Sequence, residues 1–263
     1  MQVQPPNVAG MFYPDDPYTL KRELHQFLSQ ADREVPGRVK AIVAPHAGYI
    51  YSGPVAANAY HALAAVAPRI RRVVLLAPSH RYGFRGLATS SADAFQTPLG
   101  AVPVDKQAVA AIARLPQVQL ADQVFVGEHA LEVQLPFLET VLEDFELVPL
   151  IVGDATPEEV AEVLERLWGG DETLIVVSSD LSHYHDYDSA RARDRLTAEH
   201  IEHLESERIR GEDACGARPL NGLLLAARRH GLKAHVVDLR NSGDTAGDKD
   251  RVVGYGAFVF TEE

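Results

Sequence analysis

The chain has 263 residues, of which 46% are hydrophobic and 24% are charged, a balance typical of globular proteins and unlike that of disordered or fibrous ones. It carries 37 acidic and 25 basic residues, and the net charge of -12 disfavours binding to nucleic acid or to an anionic membrane surface. The first residues lack the basic and apolar segments of a secretory signal, and no apolar run has the length of a membrane helix, so we expect a cytoplasmic protein.

Short apolar segments rich in β-branched residues alternate with segments of helical periodicity. In chain order, the pattern predicts a helix at 18–30, a strand at 39–44, a helix at 55–66, a strand at 73–77, helices at 106–114 and 131–144, a strand at 147–152, a helix at 157–168, a strand at 174–177, helices at 189–208 and 213–229, and strands at 234–239 and 252–260. Continuous apolar strands indicate a sheet that is covered on both faces. The alternation predicts an α/β fold with one domain over residues 1–263, because no linker or repeat interrupts it.

Two prolines give local expectations for the helices. Thr156 followed by Pro157 has the residue types of a helix N-cap and first position, so a helix should begin there. Pro136 lies inside the predicted helix at 131–144, where it should kink the helix or restart it.

Polar residues gather where three predicted strands end. The first strand is followed by Pro45 and His46, and the second by Pro78, Ser79 and His80. The strand at 174–177 continues into Ser178-Ser179-Asp180-Leu181-Ser182-His183. In open α/β sheets ligands bind at the carboxyl ends of the strands, so these loops predict one shared site. A single histidine at a strand end often only hydrogen-bonds a loop carbonyl, and it is the repetition that favours a functional site.

Two further residues are candidates for the same site. Cys215 is the only cysteine, and it lies beside glycine just before an apolar helical stretch, where a helix N-terminus favours the thiolate. It is an inert packing residue, a metal ligand or a reactive thiol on this information. His129 begins a helical pattern, so it either faces the site or lies in an exposed first turn.

The chain resembles the Memo family, called protein B of the AmmeMemoRadiSam system in prokaryotes, almost from end to end. The segments that carry the resemblance occur in the family's order: AGMFYP at 9–14, PHAGYIYSG at 45–53, PSH at 78–80, EHALEVQLP at 128–136, SSDLSHY at 178–184 and CG at 215–216. The resemblance implies an αβα sandwich around a mainly parallel or mixed sheet, similar to that of class III extradiol dioxygenases.

The resemblance also implies a site of defined composition. His46, His80 and Cys215 would be the metal ligands. His183, Asp180 and His129 would be the catalytic groups beside the metal. Tyr51 and the Phe12-Tyr13 segment would bind substrate. The dioxygenases have a carboxylate where this chain has Cys215, so the resemblance implies a site more firmly than a reaction.

The implied ligand set allows several chemistries. Two imidazoles and one thiolate suit Fe(II) or Cu, with Zn also compatible. Iron with open coordination positions would make a dioxygenase-like oxidoreductase for a phenolic or peptide substrate, with His183 as acid or base. The alternatives are a metal-binding or redox-regulatory protein without turnover, and a hydrolase that uses Cys215 as its nucleophile.

Cofactor and partner expectations follow from motifs and from the resemblance. The sequence has no G-x-x-x-x-G-K-[ST] loop and no G-x-G-x-x-G after a strand, so we expect no nucleotide cofactor. It also lacks the G-x-S-x-G element of serine hydrolases. The expected ligand is a small molecule or a peptide. The resemblance adds an Ammecr-type protein and a radical-SAM protein as candidate partners.

Overall fold

Helices and strands alternate along the chain in a computed structural model that describes residues 1–32 and 34–263. The α-helices are α1 (Pro17–Gln30), α2 (Tyr49–His61), α3 (Lys106–Ile112), α4 (Leu135–Val141), α5 (Pro157–Leu167), α6 (Tyr187–Glu202) and α7 (Ala217–Arg229). The strands are β1 (Val3–Gln4), β2 (Arg38–Ala44), β3 (Arg72–Pro78), β4 (Leu87–Thr89), β5 (Ala94–Thr97), β6 (Gly100–Pro103), β7 (Val118–Leu120), β8 (Glu146–Val152), β9 (Thr173–Ser178), β10 (His183–His185), β11 (Lys233–Asn241) and β12 (Val252–Glu262).

A large mixed sheet forms the centre of the molecule. Its strand order is β10-β12-β2-β9-β3-β8-β4-β7, and β11 pairs with β12 as well. Strands β2, β9, β3 and β8 are parallel neighbours, whereas β12 and β4 flank them in the antiparallel direction. Strands β1, β5 and β6 form a second, small sheet. The carboxyl ends of the four parallel strands therefore lie at one edge of the large sheet.

Helices cover both faces of this sheet. The four parallel strands are buried along almost their whole length, which requires apolar cover on each side. The connection from β2 through α2 to β3 runs along the sheet in one direction, and the connection from β8 through α5 to β9 runs in the other. Because such crossovers are right-handed, the two helices lie on opposite faces. The predicted αβα sandwich is confirmed, with a mixed sheet.

The helix boundaries differ from the prediction in informative ways. Helix α2 begins at Tyr49 rather than at residue 55, and it carries Pro54 in its interior. The predicted helix at 131–144 is a 3₁₀ turn followed by α4, with Pro136 in the first turn of α4, so the proline restarts the helix as expected. Helix α6 spans Tyr187–Glu202 rather than 189–208.

Two helix starts show how local sequence sets the ends. Thr156 caps α5 as predicted, and it forms a reciprocal capping box with Glu159. Helix α7 begins at Ala217 rather than at residue 213, because Gly216 is its N-cap. Cys215 therefore lies in the loop that enters the helix. No helix in the described part of the chain is long and apolar enough to cross a membrane.

A buried lysine anchors the end of the sheet opposite to these carboxyl ends. Lys40 is 4% exposed, and its ammonium donates to the carbonyl oxygens of Trp168, Gly170 and Thr173 at 2.6, 2.9 and 2.9 Å. Burial lowers the pKa of Lys40 to about 8, so the group is still charged at neutral pH. The lysine thereby satisfies carbonyl groups at the end of α5 and in the turn that leads into β9.

We expect Lys40→Met to lower the free energy of unfolding by about 3 kcal/mol, because two buried carbonyl groups and a third, partly buried one lose their donor. Urea unfolding followed by circular dichroism measures the change. Lys21 is exposed, so Lys21→Met is the matched control and should alter the free energy of unfolding by less than about 0.5 kcal/mol. Equal free energies of unfolding for the two variants would show that the hydrogen bonds of Lys40 make no net contribution to stability.

Candidate metal centre

The strand-end residues converge at the edge where the parallel strands finish. Strand β9 lies between β2 and β3, and Ala44 at the end of β2 is in register with Ser178 at the end of β9. His46 follows β2 by two positions, and His80 follows β3 by two positions. Their imidazole rings are 5.2 Å apart between centroids, edge to face. The predicted meeting of these two loops is what the structure shows.

His46 is held by a hydrogen-bond network that fixes its tautomer. The hydroxyl of Ser178 donates to the carbonyl oxygen of Ala130 at 2.6 Å and accepts from the Gln134 amide at 2.8 Å. With its only proton used, that hydroxyl accepts from Nδ1 of His46 at 2.8 Å. The Nε2 atom of His46 is then unprotonated, which is the form that binds metals. Burial, together with the charge of His80, lowers the pKa of His46 to about 3.

His80 is oriented by a buried carboxylate. Nδ1 of His80 lies 2.9 Å from Oε1 of Glu128, and the backbone N–H of His80 donates to Oε2 at 2.6 Å. Burial opposes protonation of His80, but the hydrogen bond and charge of Glu128 raise the pKa of His80 above its ordinary value. Burial likewise opposes ionisation of Glu128, yet the hydrogen bond and charge of His80 lower the pKa of Glu128 to about 2. Nε2 of His80 is the ring nitrogen left for a metal, which would compete there with a proton.

The third group at this edge is the thiol of Cys215. Its Sγ lies 3.2 Å from Nε2 of His46 and accepts the backbone N–H of Asp180 at 3.3 Å. In return, the backbone N–H of Cys215 donates to the carbonyl oxygen of Asp180 at 3.2 Å. Burial and the charge of Asp180 raise the pKa of the Cys215 thiol. A bound cation would favour the thiolate in this position, because it places a positive charge directly on the sulfur.

The three side chains fit a metal ion. One ligand atom each of His46, His80 and Cys215 lies within 4.8 Å of the other two. In a tetrahedral site with bonds of about 2.0 Å to nitrogen and 2.3 Å to sulfur, ligand atoms are roughly 3.3–3.5 Å apart. The separation of 3.2 Å between His46 and Cys215 is close to that spacing. Donor types, tautomers and distances are therefore compatible with a site of two imidazoles and one thiolate.

His129 adds a second group that could hold a metal and shares His80 with the first. Ligand atoms of His80, Glu128 and His129 also lie within 4.8 Å of one another. The rings of His129 and His80 are stacked at 4.8 Å, and Nδ1 of His129 is 3.6 Å from the Glu128 carboxylate. Burial and the charge of His46 lower the pKa of His129 to about 4, so this imidazole is neutral at physiological pH.

Asp180 and His183 lie on the loop that follows β9. Asp180 is 5% exposed, and its Oδ1 accepts the backbone N–H of His46 at 2.8 Å, while its Oδ2 lies 3.8 Å from Nε2 of that residue. Burial raises the pKa of Asp180 in spite of this hydrogen bond. His183 is the half-buried first residue of β10, and its charge acts on the pKa values of both Asp180 and His46. His183 is outside the two groups of candidate metal ligands.

The aromatic residues expected at the site occupy different environments. The Phe12 ring lies 4.7 Å from the His129 ring, so Phe12 borders the site. Tyr51, in the first turn of α2, is 40% exposed. Tyr13 is 3% exposed, and its hydroxyl donates to Glu132 at 2.7 Å, so its side chain has almost no exposed surface to offer a ligand.

Comparison with known proteins identifies the family. A family model described as Memo-like protein matches residues 4–259. A MEMO1 family protein of Aquifex aeolicus is 35% identical over 272 residues, covering 99% of this chain and 100% of that protein. A second, from Saccharolobus solfataricus, is 34% identical and covers 97% of this chain and 98% of that protein. The chain belongs to the Memo-like family.

The fold of this Memo-like protein also resembles that of a solved structure. A crystal structure of an uncharacterized protein from Escherichia coli K12 superposes with a TM-score of 0.53. The match covers 86% of this chain and 100% of that chain, at 15% sequence identity. Likeness at this identity concerns the fold alone, and it agrees with an α/β sandwich.

Sequence reasoning missed the polar groups that orient the candidate ligands of this Memo-like protein. Glu128 lies in one of the segments that carry the family resemblance. The sequence assigns it no role, yet it binds both the ring and the backbone of His80. Ser178 and Gln134 were not singled out, although they fix His46. The position of Ser178 could have indicated its role, since it ends β9, the strand between the two that lead into the histidine loops. Gln134 and Glu128 come from a segment distant in sequence, so periodicity could not find them.

Proposed function

We propose that this protein holds one redox-active metal ion, iron(II) or copper, through His46, His80 and Cys215, and acts as a metal-dependent oxidoreductase. The proposal is carried by one observation: the hydrogen bonds made by Nδ1 fix each imidazole so that Nε2 is the ring nitrogen available to a metal, at the edge where Cys215 lies. Metal-binding histidines usually donate the N–H of their other ring nitrogen to a fixed acceptor in this way. A dioxygenase-like reaction on a phenolic or peptide substrate is the form of oxidoreductase that we favour.

The donor set constrains the metal by its softness. Imidazole binds iron, copper and zinc well, and thiolate shifts the preference toward Cu(I), zinc or thiolate-tolerant iron. Zinc is therefore the third candidate. A bound iron or copper ion would supply electron transfer and activation of dioxygen, which no side chain of the protein provides.

The protein's own residues would position the substrate and move protons. His129 is neutral and borders the site, so it can accept a proton from a ligand hydroxyl beside Phe12. His183 is the second candidate acid or base, and Asp180 is the buried carboxyl whose charge acts on the histidines around it. Tyr51 is the exposed aromatic residue available for contact with the substrate.

Anaerobic titration with Fe(II), Cu(I) and Zn(II), followed by oxygen uptake with catechol and with a tyrosine-containing peptide, tests the proposal. We expect one ion per chain, oxygen uptake with the iron or copper form, and none with the zinc form. His183→Ala should lower the uptake rate while the metal content stays unchanged. Metal binding without uptake would favour a metal-binding or redox-regulatory protein. Absence of metal binding would refute the proposal.

A second candidate function rests on the short distance between His46 and Cys215. Nε2 and Sγ are 3.2 Å apart, which is the spacing of an imidazole base and a thiol nucleophile. Such a hydrolase would be active without metal and would be inactivated by iodoacetamide in the metal-free state. Two imidazoles oriented toward one thiol are the arrangement of a metal site rather than of a dyad, so we rank this candidate lower.

A further inference from the structure

We propose that the cleft beside His80 binds the oxyanion group of a ligand, a carboxylate or a phosphate, through Arg81 and Arg218. The cleft is open to solvent and has a volume of about 470 Å³, which is suited to a small molecule. His80 belongs both to this cleft and to the candidate metal centre. This inference adds to the proposed function a chemical class for the substrate. Its relevance to catalysis rests on that proposed function.

The cleft is built from three segments at the carboxyl edge of the sheet. The loop after β3 contributes the residues from Ser79 to Phe84, and the end of β8 with the loop that follows contributes Val152 to Asp154. Arg218 comes from the first turn of α7. Ligands of open α/β sheets bind at this edge, so the cleft has the position expected of a substrate site.

Arg81 is anchored in a way that leaves its charge available. Its Nε donates to the carbonyl oxygen of Gly127 at 2.5 Å, and no ion pair involves this guanidinium among the residues that the structure describes. Gly127 has a φ of +75°, and a Cβ atom there would lie 3.0 Å from Nε of Arg81. A glycine is thus needed where the arginine side chain crosses the loop. The two terminal nitrogens remain for a bidentate contact with an oxyanion.

Arg218 is held by a weak ion pair that a ligand can replace. Its NH2 lies 3.1 Å from Oδ1 of Asp154, and the two side chains are 57% and 72% exposed. Pairs this exposed contribute little because water screens them. The residue also stands in the first turn of a long helix, where the backbone dipole favours an anion.

The charges in the cleft contrast with those of the whole chain. The protein has a net charge of -12, yet the cleft contains two arginines and one acid, Asp154. Tyr82 and Phe84 add aromatic surface to the same walls. A small aromatic molecule with an oxyanion substituent matches both features. Its ring would face the aromatic residues and its charge the arginines, next to His80.

Titration with benzoate by isothermal calorimetry, with benzamide as the neutral isostere, tests the inference. We expect benzoate to bind and benzamide to bind at least about tenfold more weakly, since only benzoate accepts charged hydrogen bonds. Titration with phenyl phosphate distinguishes a carboxylate site from a phosphate site. Whichever of benzoate and phenyl phosphate binds more tightly identifies the preferred group. Equal affinities for benzoate and benzamide would overturn the inference.

Variants locate the binding at the cleft. Arg81→Gln and Arg218→Gln should each weaken benzoate binding, by about tenfold for Arg81, whose charge is unpaired. Asp154→Asn should strengthen benzoate binding by about threefold, because it frees Arg218 from its ion pair and removes a negative charge that repels the benzoate. Arg114→Gln, an exposed arginine outside the cleft, is the matched control and should leave the affinity unchanged. Loss of binding in the Arg114 variant to the same extent would contradict the assignment.

The outcomes separate this inference from the proposed function. The same samples are assayed for bound iron, copper and zinc after reconstitution with each ion. Metal binding without arginine-dependent benzoate binding would overturn the cleft assignment and leave the metal centre intact. Arginine-dependent benzoate binding in a chain that takes up no metal would refute the proposed function and support the oxyanion site.

Discussion

Cys215→Ser and His46→Ala are each expected to reduce metal affinity by more than about 100-fold, beyond the loss typical of changes to groups that only orient a ligand. Each substitution removes one of three donor atoms, and the remaining two cannot complete the coordination of the ion. The thiolate also supplies the one negative charge among the three donors. Elemental analysis of anaerobically purified and reconstituted protein measures the metal content per chain.

The structure offers a matched control for this experiment. His25 is exposed on α1, so His25→Ala removes an imidazole without touching the site. Its metal content should equal that of the wild type. Circular dichroism spectra of all variants should coincide, which separates loss of donors from loss of fold. Unchanged metal content in the Cys215 variant would mean that the ion is held elsewhere.

Glu128→Gln is expected to weaken metal binding by about 10–100-fold at pH 8, although Glu128 is not one of the three proposed donors. The carboxylate holds the ring and the backbone of His80 at once, and glutamine carries no charge to polarise Nδ1–H. Competition titration against a chelator measures the affinity. Glu132→Gln is the matched control, because Glu132 is equally buried but binds Tyr13 rather than His80.

The pH dependence of metal binding gives a second readout with a definite sign. A proton and a metal compete for Nε2 of His80, and Glu128 raises the pKa of His80 above its ordinary 6.5. The Cys215 thiol, whose pKa is raised, loses its proton on metal binding, so metal affinity falls as the pH decreases throughout the neutral range. Protonation of His80 should add a further decrease that begins above pH 6.5. In Glu128→Gln that decrease should occur at lower pH, because the charge that favours protonated His80 is gone. A pH profile identical to the wild type would show that Glu128 does not act through His80.

The sequence was sufficient to predict the core of the fold and the meeting of the strand-end loops. Each long apolar strand was found, because burial on both faces leaves a continuous hydrophobic run. The carboxyl ends of parallel strands must share one edge, so the sequence alone places His46 and His80 close together, as the structure does. Cys215 joins them through backbone contacts with Asp180, which no local pattern reveals.

The elements that escaped prediction are short or lack a periodic signal. Strands β4 and β7 have three residues each, too few to display alternation. Helix α2 extends through Pro54, a residue that sequence rules treat as a boundary. The aromatic segment at 12–13 was expected to line the site as a unit, yet Phe12 borders His129 while Tyr13 is committed to Glu132. Adjacent residues of an irregular segment point in different directions, and sequence alone does not say which one faces the site.

X-ray absorption spectroscopy of the zinc-reconstituted protein tests the central claim most directly, because the second candidate group, formed by His80, Glu128 and His129, contains no sulfur. We predict one sulfur neighbour at about 2.3 Å and two nitrogen neighbours at about 2.0–2.1 Å, with the sulfur absent in Cys215→Ser. A wild-type spectrum with only nitrogen and oxygen neighbours would contradict the two-histidine, one-cysteine centre and assign the ion to the group around Glu128.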